Sequence, residues 1–410
     1  IFFIYLLKSI GLTNKAILLL VSLLQTFSLV YLLKSLNDIC LKGKRLFVFT
    51  LLISLSPLSL GFSRFLLIEP ILYIFSILVI SELIKLKKNP RCFGSISSRI
   101  FLIVILAIYF KPTSIILIIP YLFIVLVDNG FKKFLRSFLS FLLVVTISIL
   151  PWGLRDLKLG ANLPFRGYSN VMGKNASGLT YWVSSFSLTE YENASALFPI
   201  NDRKKGDRKK IKIITRYNPF ISEKDLDYIE VNKIINKENP EFVRGFTDEE
   251  NKVIVDFAKE RFKKNGILGN FIIFSLKSIS LLLNPINSWG FPIEVGLTPK
   301  IWEPNISLIT NLFFKILLFG YRLTIFWIFF SDIFSFLSKL NPLKILSKKN
   351  YHITKENSFL IASFLILASN IFIYVWIFGF LEHRYFYQIM PWIEVLIFIR
   401  LLNSKKFSFN

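Results

Sequence analysis

Glu69 stands about one turn into an apolar run covering residues 65–86. A charge is expensive at that depth, so an ionisable residue there reads first as a functional candidate. A carboxylate partly shielded from water can act as a base or hold a divalent cation. The alternative role is a packing pair with a neighbouring Arg or Lys. Lys111, directly before Pro112, lies between two apolar runs and can neutralise a phosphate headgroup or snorkel to an interface. Arg155, in Pro151-Trp152-Gly153-Leu154-Arg155, carries a planar fork suited to phosphate or carboxylate, or serves as an interfacial anchor beside Trp152. Arg384, in Glu382-His383-Arg384-Tyr385-Phe386, precedes the last apolar run. Deeper in the later runs lie Lys315, Arg322 and Glu394, the last two read as a structural ion pair. Other chemistries lack their residues. There is no Gly-rich nucleotide loop, no His-Glu-x-x-His and no Gly-x-Ser-x-Gly elbow.

The elements that position these residues are membrane helices. Hydrophobic residues make up 53% of 410, with 44 Phe, and the mean hydropathy is +0.56. Runs such as 16–36, 65–86 and 358–380 reach the roughly 18–20 residues needed to cross a hydrocarbon core. Backbone pairing in lipid makes them helices, and no series of ten-residue alternating segments suggests a barrel. The net charge of +24 does not indicate nucleic acid, because much of the Lys and Arg lies in short segments between apolar runs. Two cysteines and two distant histidines argue against a disulfide framework and a His-rich metal site.

Placing the basic clusters on the cytoplasmic side predicts about nine spans: 16–36, 46–63, 65–86, 99–111, 113–127, 138–152, 307–331, 358–380 and 387–402. Pro112 disfavours helix at Lys111, so 99–127 reads as two helices with a break there. Residues 267–283, interrupted by Lys277, are expected to lie along the interface. The fold class is therefore all-α integral membrane. A transmembrane region covers 1–152, an extracytoplasmic loop with an interfacial helix 153–304, and a second transmembrane region 305–410. Within the loop, Thr247 and Glu250 form a capping box. Ile254, Phe257, Ala258 and Phe262 share an apolar face, and Asn265-Gly266 ends that helix. On this path Glu69, Lys111, Arg155 and Arg384 all face the outer side.

The order of these segments resembles a known family. Phe62-Ser63-Arg64 through Glu69-Pro70 is similar to a family segment in which an acid opens a span after a short outer turn. Ile108-Tyr109-Phe110-Lys111-Pro112-Thr113 is similar to its broken helix. Pro151-Trp152-Gly153-Leu154-Arg155-Asp156, with Asp where Asn is usual, resembles the start of its large outer loop, and Gly173-Lys174-Asn175 lies where a Gly-Asn commonly follows. His383-Arg384-Tyr385 through Pro391 resembles its closing signature. The family is the GT-C glycosyltransferases, in the branch of protein O-mannosyltransferases and lipid A aminoarabinose transferases.

The resemblance implies an inverting hexosyl- or pentosyltransferase. Its donor would be a polyprenyl-phosphate sugar, and its acceptor a glycolipid, polysaccharide or protein of the cell envelope. The expected location is a bacterial inner membrane, with chemistry at the extracytoplasmic face. Glu69 matches the family's second acidic site, with a divalent metal compatible there and no other cofactor implied. Lys111, Arg155 and Arg384 would bind the lipid phosphate or the sugar. The family's main catalytic acid belongs to a first outer loop, and that loop and the span before it are expected upstream of Ile1. Two other readings remain: a polysaccharide polymerase or O-antigen ligase, in which Glu69 is dispensable, and a lipid-linked sugar flippase or transporter.

Overall fold

The computed structural model describes residues 8–38, 41–56, 69–158, 177–188, 192, 218–237, 246–283, 306–339, 357–377 and 388–402. The side chains of Glu69, Trp152, Arg155 and Lys315 fall outside the described part, as does Arg384 entirely. In chain order the helices are α1 (Asn14–Asn37), α2 (Lys44–Ser54), α3 (Glu69–Lys88), α4 (Phe93–Phe110), α5 (Ile119–Asn129) and α6 (Phe131–Lys158). They continue with α7 (Ser177–Ser184), α8 (Leu226–Lys237), α9 (Asp248–Leu283), α10 (Ile306–Lys339), α11 (Ser358–Ile371) and α12 (Met390–Leu402). Short 3₁₀ turns occupy Pro90–Cys92 and Pro112–Ile118, and a π-helical turn, Phe372–Ile377, extends α11. No strand occurs among the described residues.

Among the described residues seven helical stretches are long and apolar enough to cross a membrane, which makes this a multi-pass membrane protein. Three of the nine expected spans are not among the seven. The described part of the second is α2, only eleven residues. The third, α3, carries Glu69, Glu82, Lys85, Lys87 and Lys88 within twenty residues. The last, α12, has thirteen residues. Conversely, α9 is among the seven, through the apolar residues 267–283 that follow the loop helix after Gly266. The expected stop at Asn265-Gly266 is present: the backbone leaves helical values at Gly266, with ψ −179°. Gly266 takes φ 67°, a left-handed value that favours glycine, and helix resumes beyond it. The break at Lys111 is as expected: α4 stops at Phe110 and Lys111 is extended, at φ −154° and ψ 115°.

Charged contacts decide which helix ends lie together. Lys88 reaches Asp38 at 3.9 Å, joining the C-terminal ends of α3 and α1. Lys87 pairs with Asp128 of α5 at 3.1 Å and hydrogen-bonds Ser358 at the start of α11. Arg400 of α12 pairs with Asp332 of α10. These contacts gather the basic residues at one end of the bundle. Beside them, the buried carboxylate of Glu82 joins three helices. It accepts from Tyr31 of α1, lies 3.4 Å from Lys85, and meets Arg99 of α4 at 2.8 Å. Lys85 also covers the Tyr31 ring, 3.3 Å from its centroid. Between the two ends a single apolar core runs through α1–α6 and α9–α12, with Phe49, Tyr73, Tyr121, Phe329, Phe359 and Trp392 among its buried side chains.

A second, separate core holds α7, α8 and the first half of α9 together through Leu179, Trp182, Phe186, Val231, Ile254 and Ala258. The capping box forms as expected, with two reciprocal bonds of 3.2 Å between Thr247 and Glu250. Arg261, on the same face as Ile254 and Ala258, is buried rather than solvated. Its guanidinium grips Asp227 through Nε at 2.6 Å and Asp225 through Nη2 at 2.9 Å. The Trp182 indole donates to Asp227 at 2.7 Å.

Two measurements test this architecture. Glu82→Ala strips a buried acceptor from a tyrosine and two cations. It should lower unfolding stability by about 3 kcal/mol, the low end of the buried-pair range because Arg99 is half exposed. A detergent-solubilised variant melting like the wild type would show that the cluster contributes nothing. In the second core, burial tends to raise the Asp225 carboxyl, but the hydrogen bonds from Arg261 and the Ser222 N–H, with the charges of Arg261 and Lys264, hold it below its ordinary value of 3.8. A depressed carboxylate stabilises above its unfolded pKa and loses that contribution as pH falls through the folded one. Amide protection in 248–262, corrected for intrinsic exchange, should therefore be level down to about pH 4 and fall below it. In Arg261→Leu this acid-sensitive part should disappear.

Candidate functional site

The opposite end of the bundle collects polar groups contributed by five elements. Lys111 is half-buried, with Nζ 5.3 Å from the centroid of the Tyr374 ring on the π-helical turn. The Tyr374 hydroxyl shares a 2.5 Å hydrogen bond with Thr113, two residues after Lys111. The break at Pro112 makes this arrangement: an unbroken α4 would carry Lys111 and Thr113 onward instead of turning them back over the bundle. Ser114, in the same turn, donates to the Gln388 side-chain oxygen at 3.3 Å, and Ser76 of α3 donates to the Gln388 backbone carbonyl. Gln388 is 1% exposed, and its side-chain amide nitrogen has no acceptor among the described residues. A buried amide donor of this kind matches a ligand oxygen in chemistry.

Glu394 lies one turn further along α12 and is fully buried. The expected ion pair with Arg322 is replaced by hydrogen bonds. Ser56 donates to its Oε1 at 2.6 Å and Tyr321 of α10 at 2.5 Å, while Arg322 acts on it through space. The reason is helical phase. Tyr321 and Arg322 are adjacent and point about 100° apart, and the tyrosine holds the position facing α12. The carboxylate thereby links α12, α10 and Ser56, two residues beyond the end of α2.

The four residues singled out from the sequence are placed as follows. Lys111 belongs to the cluster. Glu69 is the first residue of α3, two turns or about 10 Å along the helix from Ser76. Arg155 sits near the far end of α6, about 10 Å beyond Ser148, whose carbonyl accepts from Tyr109 and ties α6 to the end of α4. Arg384 lies outside the described residues, four positions before Gln388, so it is at most about 14 Å of chain away. The backbone thus carries Glu69, Lys111 and Arg155 to the same end. The contacts of Glu69 and Arg155 lie outside the described part. Among the described residues no three His, Cys, Asp or Glu side chains assemble as a metal-ligand set.

Sequence reasoning passed over Ser76, Ser114, Tyr374 and Gln388. Their only signal was a polar atom inside or beside an apolar run, and isolated hydroxyls usually satisfy themselves on their own helix, as Ser81 does by donating to Ile77. Lys277, which interrupts the apolar run 267–283, also had a role that was not legible. It is fully buried and donates to the Ser184 carbonyl at 2.6 Å, at the C-terminal end of α7 where a cation is favoured. This bond, with the stacking of Phe274 on Trp376 at 5.1 Å, seats the second core between α9 and the site end.

Compared with known proteins, the chain matches no family model, no curated protein sequence and no solved structure.

The shared acceptor on Glu394 gives a thermodynamic signature. Tyr321→Phe should cost about 1.5–2 kcal/mol and Ser56→Ala about 1 kcal/mol. The double variant should lose more than their sum, because only then is Oε1 left bare. Additive losses in thermal unfolding would show that the two hydroxyls do not serve one oxygen.

Proposed function

We propose that this chain is a multi-pass membrane glycosyltransferase, moving a hexose or pentose from a polyprenyl-phosphate donor to a glycolipid, polysaccharide or protein acceptor. The supporting observation is the cluster at one bundle end, where Lys111 and the buried Gln388 amide lie together with Ser76 of α3. A cation and a neutral donor are groups such a transfer needs, and Glu69, at the start of the helix that carries Ser76, is the carboxylate this reading assigns.

In this reading Glu69 takes the proton from the acceptor hydroxyl. The acceptor oxygen bonds to the anomeric carbon from the face opposite the phosphate. The carbon–oxygen bond to the phosphate breaks, and polyprenyl phosphate leaves with the electron pair. The configuration inverts. Lys111, with Arg155 and Arg384, stabilises the charge that grows on the leaving phosphate. A divalent cation at Glu69 would orient the acceptor and favour its ionised form. The location that fits is a bacterial inner membrane, with the 153–304 segment extracytoplasmic.

The test uses the purified full chain in nanodiscs, supplied with polyprenyl-phosphate-linked hexoses and pentoses and with envelope lipids as acceptors. The expected result is donor consumption with formation of polyprenyl phosphate. Turnover should fall about 100-fold or more in Glu69→Gln and in Lys111→Met. Turnover unchanged in Glu69→Gln would favour a polymerase or ligase, and donor crossing the bilayer intact would favour a flippase. Absence of turnover across the donor panel would overturn the transferase reading.

A further inference from the structure

Cations at the basic end of the bundle divide into two groups. Those of α3, α4 and α12 meet acids: Lys85 and Arg99 meet Glu82, Lys87 meets Asp128, Lys88 meets Asp38, and Arg400 meets Asp332. Lys132 and Arg136 of α6 are exposed and form no ion pair among the described residues. Their neighbour Lys133 is directed elsewhere, toward the Phe93 ring at 5.5 Å and the Asn129 amide oxygen at 3.4 Å. No Asp or Glu occurs anywhere between residues 130 and 155.

Below the two cations the same helix face is apolar and open. Lys132, Arg136, Leu139, Leu143, Ile147 and Leu150 follow one another at steps of four and three, which places them in a single stripe. Leu139, Leu143, Ile147 and Leu150 are 55%, 62%, 62% and 51% exposed. The opposite face, with Ser137, Phe141 and Val145, is the one packed into the bundle. From Leu139 to Leu150 is about 16 Å along the helix. That matches one leaflet of the hydrocarbon core, about 15 Å.

We propose that this stripe of α6 is a binding site for one anionic glycerophospholipid. Lys132 and Arg136 hold its phosphate and its net negative headgroup, and an acyl chain lies along Leu139, Leu143 and Ile147. Charge complementarity selects the occupant. Two exposed cations that form no ion pair among the described residues leave a net positive site, which a zwitterionic headgroup neutralises less well than an anionic one. The basic end alone would follow from sidedness. The distinguishing feature is their register with an apolar track one leaflet long on the same helix face, since exposed cations without an ion pair among the described residues also occur at Lys42, Lys44 and Arg91.

The test is native mass spectrometry of the full chain extracted from nanodiscs of equal phosphatidylglycerol and phosphatidylcholine. Wild type should retain phosphatidylglycerol about tenfold over phosphatidylcholine, less in 0.5 M salt. The double substitution Lys132→Gln with Arg136→Gln should bring retention to parity without changing the melting temperature, since both side chains are exposed. Lys233→Gln, on a surface pair of the second core, should leave the preference intact. Parity in the wild type, or a preference that survives the double substitution, would overturn the proposal. So would a dimer that persists after lipid removal and is lost in Leu143→Asn, because a second copy would then cover the stripe.

Discussion

A charge inside an apolar bundle persists only where a polar group meets it. In this protein those meetings decide which helix ends belong together. Lys87 alone ties α3 to α5 and to α11, and Glu82 joins α1, α3 and α4. The apolar core between them is permissive by comparison, since Leu, Ile and Phe side chains can pack in many registers. The ion pairs at the basic end remove that freedom.

The opposite end follows from the same constraint with different groups. With the basic ends fixed, α3, the turn after Lys111, the π-helical turn and the start of α12 bring Ser76, Thr113, Ser114, Tyr374 and Gln388 together. Hydroxyls and an amide fill that end where ion pairs fill the other. Lys111 adds a cation to that end, of the sign that a site handling an anionic phosphate would need.

The second core is attached to the bundle through one continuous element. α9 begins at the Thr247–Glu250 cap, supplies Ile254, Ala258 and Arg261 to the second core, bends at Gly266 and then packs beside α10 and the π-helical turn. The kink changes the direction of the helix while keeping it a single chain path. Lys277 then anchors the far side by binding the end of α7. Movement of the second core and movement at the site end are thereby mechanically connected.

Hydropathy and charge placement alone determined that the chain is a helical membrane protein, that α4 breaks at Lys111-Pro112, and that a capped helix begins at Thr247. These are local properties: the length of an apolar run, the missing donor of a proline, two side chains three residues apart. The mutual arrangement was not local. Whether Glu394 meets Arg322 or Tyr321 depends on the rotation of α10 against α12, and adjacent residues on a helix give the sequence no preference between them. Lys277 looked like a polar interruption because its partner, the Ser184 carbonyl, is a backbone atom 93 residues away and leaves no mark in composition. Gln388 likewise became part of a site only when Ser76 and Ser114, from two other elements, were brought to it by ion pairs at the far end of the bundle.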